Sequence, residues 1–135
     1  MLTIEKVMAL SQVDLFAGLP GDSVAEIALI AEEVECALNQ ALPSGGEPAS
    51  AMYVVITGRM GFQGADPADA VECGPGEAFG ELCALDPRGE TPCAVALEDS
   101  LLLKIEHENL FELISEDADI AQTVIRSLCR RLRKG

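Results

Sequence analysis

Residues 74–82, Gly-Pro-Gly-Glu-Ala-Phe-Gly-Glu-Leu, combine the residue types that a nucleotide pocket needs. Gly80 allows the main chain to turn tightly, and Glu81 supplies a carboxylate that can accept hydrogen bonds from sugar hydroxyls. If a short helix starts at Gly80, its first backbone amides are unpaired and can bind a small anion such as a phosphate. The stretch therefore predicts a carboxylate beside an anion-binding turn, which is the outline of a nucleotide pocket.

The composition limits the classes of partner. The chain has 135 residues, of which 49% are hydrophobic, enough for one domain with a mainly aliphatic core. Its 9 basic and 23 acidic residues give a formal net charge of −14. Such an acidic surface repels nucleic acid and anionic membranes, so we expect neither as a partner. A small anion held by backbone amides is compatible with this charge, because the field of those amides is local.

The cysteines and the N-terminus indicate the cellular compartment. The 5 cysteines form no Cys-x-x-Cys pair, so we predict neither a zinc site nor a secreted disulfide framework. We interpret them as small core residues of a reduced, intracellular protein. The first residues carry charges where a signal peptide needs apolar side chains, and no apolar run approaches the roughly 20 residues of a membrane span. We therefore expect a cytoplasmic chain without direct membrane insertion.

The elements that must position the glycine-rich stretch follow from the apolar patterns. Residues 1–33 show a helical period, residues 34–106 show short strands broken by turns, and residues 107–135 return to a helical period. Short strands flanked by helices at both ends predict a single α+β domain over residues 1–135. We expect this domain to be mostly β, an antiparallel double-sheet jelly roll with N-terminal and C-terminal helices.

The C-terminal helix combines basic and apolar residues. Five of the nine basic residues lie in the last ten positions, and we interpret them as a solvated helix end whose cations complement the helix dipole. A contact with a partner is the alternative. The same helix predicts a narrow apolar seam, and a homodimer through this seam is one expected partner. The seam consists of Ala121, Ile125, Leu128 and Leu132.

A series of motifs follows in order along the chain: Leu15, Phe16, Leu19, Pro20, Gly46, 52–56, Gly58, 74–82, 96–99 and 101–105. Taken together, these motifs resemble the cyclic nucleotide-binding domain family, which includes bacterial catabolite activator proteins, kinase A regulatory subunits and gated channels. The resemblance extends over nearly the whole chain. It implies a double-stranded β-helix, an eight-stranded β-roll with a C-terminal lid helix.

The resemblance also implies roles within the pocket. The glutamate of the family's Phe-Gly-Glu motif holds the ribose 2′-hydroxyl, and here Glu81 follows Phe79 and Gly80. Amides at the start of the short helix, where Leu82 lies, receive the cyclic phosphate, and an arginine neutralises its charge. The last helix closes over the base. The implied ligand is cAMP or cGMP, and no other cofactor is expected.

The position of the phosphate arginine departs from the family pattern. Counted from Glu81 without a gap, it falls on Glu90, followed by Thr91 and Pro92, while Arg88 lies two residues earlier. Either Arg88 reaches the phosphate through a loop of different length, or an acid occupies the position. Losing the two charge-assisted hydrogen bonds of a guanidinium weakens phosphate binding by roughly 10²–10⁴.

These observations favour a regulatory domain that is weak or degenerate for cAMP and cGMP. One alternative is a functional sensor in which Arg88, Thr91 and Pro92 complete the pocket. Another is an interaction or dimerisation scaffold of a larger regulatory protein. We expect no enzyme, because no nucleophile–base pair or metal cluster is visible and His107, the only histidine, is predicted to lie at the surface. The chain ends before the helix-turn-helix of this family's transcription factors, so we expect no direct recognition of DNA.

Overall fold

A computed structural model describes residues 1–42, 50–62, 71–88 and 94–134 of the chain. A 3-10 turn, Asp14–Phe16, connects the first two helices. The α-helices in the described part are α1 (Thr3–Ser11), α2 (Gly21–Ile30), α3 (Glu81–Leu85), α4 (His107–Glu116) and α5 (Ala118–Lys134). The strands there are β1 (Glu32–Cys36), β2 (Ala41–Leu42), β3 (Ala51–Thr57), β4 (Met60–Phe62), β5 (Val71–Cys73), β6 (Ala78–Phe79), β7 (Ala94–Ala96) and β8 (Ser100–Glu106).

The described strands form two four-stranded sheets, with strand orders β1-β8-β3-β6 and β2-β7-β4-β5. Each pair of neighbouring described strands is antiparallel, and the longest pairing, between β3 and β8, runs from Ala51 opposite Glu106 to Thr57 opposite Leu101. Helices precede and follow the roll in the chain. The predicted α+β jelly roll with flanking helices is therefore confirmed.

Strand β3 separates two hydrophobic clusters, because alternate side chains of a strand point to opposite faces. Met52 and Val54 are fully buried in a cluster that consists largely of helix side chains. Tyr53 and Val55 belong to a second cluster, built from strands of both sheets. β3 is therefore buried on both faces, and the helices and the roll pack against it from opposite sides.

The first strand begins earlier than its sequence pattern indicates. β1 starts at Glu32, two residues before the expected start of the roll at Val34. Glu32 and Glu33 lie opposite Lys104 and Leu103 of β8, and both acidic side chains are exposed. In the sequence, two consecutive acidic residues after a helical pattern indicate the end of a helix. In the structure, their pairing with β8 places them in a strand instead.

Asn39 and Asp117 shape the chain outside the regular elements. Asn39 adopts a positive φ of 70°, as expected for asparagine in a tight turn. Asp117 accepts a hydrogen bond from the backbone amide of Asp119 at 2.9 Å, which caps the start of α5. None of the helices in the described residues is long and apolar enough to cross a membrane.

The cysteines do not share one environment. Cys36 and Cys73 are buried, as predicted, but Cys129 is exposed on α5, where the core interpretation is wrong. Cys129 follows the buried Ser127 by two positions, which places it about 200° away around the helix. It therefore faces away from the roll.

Candidate functional site

Strand β6 and Gly80 position the start of α3. Phe79 pairs with Tyr53 of β3, and the next residue, Gly80, turns the chain with a φ of 80°. A Cβ at this position would lie 2.8 Å from the backbone oxygen of Ala51, so only glycine fits. Glu81 is then the first residue of α3. The sequence thus places the Glu81 carboxylate at a fixed point beside the sheet.

The carboxylate of Glu77 stabilises the glycine-rich turn before β6. The backbone amide of Gly74 donates to Glu77 Oε1 at 2.9 Å, and the amide of Glu77 donates to the Gly74 oxygen at 3.1 Å. The amide of Val55 donates to the Glu77 oxygen at 2.9 Å, which fastens the turn to β3. Glu77 is therefore a structural residue.

The Glu81 carboxylate is paired with a cation from the last helix. Arg131 Nη2 lies 2.8 Å from Glu81 Oε2, and Arg131 Nε lies 3.8 Å from Asp14 Oδ2. The Glu81 side chain is 15% exposed and that of Arg131 is 35% exposed, so this contact is partly shielded from solvent. One guanidinium thus joins the last helix, the start of α3 and the 3-10 turn.

Sequence reasoning missed Arg131. The interpretation of the last basic residues as solvated cations is wrong for Arg131, which pairs with Glu81. Arg131 lies four positions after the buried Ser127, which donates to the backbone oxygen of Leu15 at 2.9 Å. Residues four apart share a helix face, so the spacing indicates that Arg131 points toward the body of the domain. The four-residue spacing between Ser127 and Arg131 is therefore the feature of the sequence that indicates the orientation of Arg131.

A cavity of about 300 Å³ lies beside the Glu81–Arg131 pair. Three carboxylates and one guanidinium line it, so two negative charges are in excess. An anionic phosphate is disfavoured in such a field unless a further cation enters. The lining residues are Gln12, Val13, Asp14, Leu15, Gly76, Glu77, Ala78, Glu81 and Arg131.

The other predicted pocket residues occupy different environments. Phe79 is buried and stacks on Tyr53 with a centroid distance of 5.2 Å, whereas Leu82 is 67% exposed. Arg88 Nε lies 2.8 Å from Asp86 Oδ2, with the Arg88 side chain 74% exposed. The structure thus brings Phe79, Gly80 and Glu81 together at the start of α3 and leaves Leu82 and Arg88 at the surface.

Three residues of the predicted arginine segment lie outside the described residues. They are Glu90, Thr91 and Pro92.

His107 connects α3 to the C-terminal helices. Its Nδ1 lies 2.5 Å from the backbone oxygen of Ala84, and its ring contacts that of Phe111 at a centroid distance of 4.6 Å. A ring nitrogen facing a carbonyl oxygen carries the proton. His107 is half-buried, so the expectation of a surface residue is met only in part, and its ring bonds a carbonyl of α3. In the described part of the chain, no group of three or more histidine, cysteine, aspartate or glutamate residues could hold a metal ion.

Comparison with known proteins places the chain in a family. The family model "Cyclic nucleotide-binding domain" matches residues 33–117. The Cyclic AMP receptor protein of Thermus thermophilus is 32% identical over 120 residues, covering 78% of this chain and 56% of that protein. A CRP-like cAMP-activated global transcriptional regulator of Mycobacterium tuberculosis is 25% identical over 130 residues, covering 93% of this chain and 58% of the regulator. The chain thus spans little more than half the length of these curated relatives.

The fold is similar to that of a solved regulator domain. The N-terminal domain of a transcriptional regulator from Streptomyces coelicolor matches with a TM-score of 0.80 and 31% identity, covering 93% of this chain and 91% of that one. The structural match covers nearly all of both chains. The part of this chain that matches the family model extends from β1 to α4. The chain therefore belongs to the cyclic nucleotide-binding domain family.

Proposed function

We propose that the chain is a non-catalytic regulatory domain whose pocket binds cAMP or cGMP weakly. One observation carries the proposal: the cation beside Glu81 is Arg131, which lies 2.8 Å from the Glu81 carboxylate and 3.8 Å from that of Asp14. A guanidinium shared by two carboxylates has little capacity left for an anionic phosphate. The excess negative charge of the adjoining cavity supports the same conclusion.

The alternative sensor needs Arg88 to leave Asp86. Their ion pair is exposed on both sides, at 74% and 64%, and such pairs contribute about 0–1 kcal/mol. The pair is therefore no barrier to a movement of Arg88 toward a bound phosphate. The alternative is distinguished from the main proposal by affinity and by the response to removal of the Arg88 guanidinium.

Isothermal titration calorimetry with cAMP and with cGMP tests this proposal. Relative to a micromolar ligand, loss of the phosphate guanidinium weakens binding by roughly 10²–10⁴, so we expect dissociation constants near the millimolar range. A low-micromolar constant for either nucleotide would overturn the proposal. If Arg88→Ala then abolishes that tight binding, the sensor that uses Arg88 is the correct function.

A second candidate function, an interaction scaffold that forms a homodimer, is favoured by the surface of α5. Ile125 is 59% exposed and Leu132 is 80% exposed, whereas Leu128 packs against the helical cluster. The predicted seam is therefore only partly available, and its exposed members lie on a helix that also carries exposed arginines. A stripe of exposed apolar side chains supports association with a second copy.

Sedimentation velocity over a range of concentrations tests the homodimer. We expect the wild type to dimerise and Leu132→Glu to remain monomeric. Leu29→Glu is the matched control, because Leu29 is 78% exposed on α2, and it should dimerise like the wild type. A wild type that is monomeric at the highest concentration removes this candidate. Leu128→Glu is unsuitable, since it would place a charge against the core.

The state of the thiols supports a proposal about the compartment. Cys36, Cys73 and Cys129 form no disulfide. Free thiols fit a reducing compartment and support the proposal of a cytoplasmic location.

A further inference from the structure

The Glu81–Arg131 contact is also a contact between the binding site and the end of the last helix. We propose that Arg131 is a latch, which fastens the end of α5 to Glu81 through Oε2 and competes with a ligand for that carboxylate. This inference rests on the proposed function, in which Glu81 is the carboxylate that receives the ligand. It assigns Arg131 a regulatory contact within the domain.

The position of Arg131 along α5 makes it suitable for holding the end of this helix to the rest of the domain. One turn earlier, Ser127 is fully buried and donates to the backbone oxygens of Leu15 and Asp14, at 2.9 and 3.2 Å. After Arg131, the side chains of Leu132, Arg133 and Lys134 are exposed. Among residues 131–134, Arg131 therefore supplies the side-chain contact that holds the helix end to the roll.

The chemistry of the contact makes displacement unfavourable for a weak ligand. Arg131 forms an ion pair with Glu81 at 2.8 Å. A ribose hydroxyl offers a hydrogen bond to the carboxylate but no opposite charge, so it does not replace the Coulomb attraction of the guanidinium. Asp14 holds the guanidinium from a second side at 3.8 Å. The apparent affinity of a ligand falls in proportion to the fraction of molecules in which the latch is open.

Hydrogen exchange of the ligand-free domain tests the latch without any nucleotide. We expect both Arg131→Gln and Glu81→Gln to raise amide exchange severalfold in the last two turns of α5. The double variant should exchange no faster than Arg131→Gln, because Glu81→Gln alone leaves the contact of Arg131 with Asp14 in place. Arg130→Gln is the matched control, because the Arg130 guanidinium donates to Ser127 Oγ within the same helix. Exchange in Arg131→Gln equal to that of the wild type would overturn the latch.

Nucleotide titration separates the latch from the proposed function. If the latch competes with ligand, Arg131→Gln binds cAMP or cGMP several times more tightly than the wild type and than Arg130→Gln. Weaker binding in Arg131→Gln would overturn the latch and identify Arg131 as a cation that the ligand needs. If no protein binds either nucleotide at millimolar concentration while the exchange result holds, the helix contact is supported and the proposed nucleotide function fails.

Discussion

Gly80 approaches the backbone of Ala51 so closely that a Cβ on Gly80 would lie 2.8 Å from the Ala51 oxygen. Gly80 also has a φ of 80°, in the left-handed region that costs other residues about 1–2 kcal/mol. We therefore expect Gly80→Ala to lower the free energy of unfolding by about 2–4 kcal/mol, since strain and collision act together. Urea denaturation followed by circular dichroism measures the loss.

Gly18→Ala separates the two causes. Gly18 has a similar φ of 85°, but no atom lies within 4 Å of its added Cβ. This variant should lose only the roughly 1–2 kcal/mol of the left-handed conformation. Equal losses in the two variants would show that the approach of Gly80 to Ala51 has no energetic consequence.

The bond between Ser127 and Leu15 joins the last helix to the 3-10 turn. The Ser127 hydroxyl is fully buried and donates to the Leu15 oxygen at 2.9 Å. Ser127→Ala leaves that buried carbonyl without this donor, so we expect a loss of about 1–2 kcal/mol in the free energy of unfolding. Ser115→Ala is the control, because Ser115 is exposed and donates to Phe111 within its own helix. A Ser127→Ala variant as stable as Ser115→Ala would contradict the prediction.

The parts of the structure that could be predicted are those fixed by local sequence. The apolar run of β3 and the spacing of Phe79, Gly80 and Glu81 determine a buried strand and a turn without reference to distant residues. The contact of Glu81 with Arg131 joins segments far apart in the chain. The side of α5 that faces the roll is readable from its period, but the partner of Arg131 depends on where the helix lies.

The two acidic residues at the start of β1 show the same limit. Glu32 and Glu33 are both exposed, and their residue types indicate a helix end as readily as a strand. Their pairing with Lys104 and Leu103 decides between these conformations. Long-range pairing is information that a local pattern lacks.

Cysteine alkylation should distinguish the buried from the exposed thiols. Burial raises the pKa of the Cys36 and Cys73 thiols, and the charges of Glu77 and Glu81 raise that of Cys73 further. Cys129 is exposed. Because the thiolate is the reactive form, iodoacetamide at pH 8 should modify Cys129 well before Cys36 and Cys73, as measured by peptide mass spectrometry. Comparable rates at the three sites would mean that the roll opens on the timescale of alkylation.

Asp117 gives the stability of the domain a specific dependence on acid. Its carboxylate accepts hydrogen bonds from Ser23 Oγ at 2.7 Å and from the amide of Asp119 at 2.9 Å. These bonds, that of Ser23 first, hold the pKa of Asp117 below its ordinary value of 3.8. A carboxyl group whose pKa is lower in the folded state than in the unfolded state stabilises the fold at pH values above its unfolded-state pKa. This stabilisation is lost as the pH falls through the folded-state pKa. Glu26 opposes it, because burial and the Asp117 charge raise the pKa of Glu26 above its ordinary 4.5.

Comparing Asp117→Asn with the wild-type residue, both in a Glu26→Gln background, isolates the Asp117 contribution. The substituted amide does not titrate, so the stability deficit of the Asp117→Asn variant relative to its parent should be constant at neutral pH and shrink as the pH falls below about 3.8. Urea denaturation at a series of pH values measures this difference. A deficit that stays constant or grows on acidification would show that the Ser23 and Asp119 bonds do not favour the charged carboxylate.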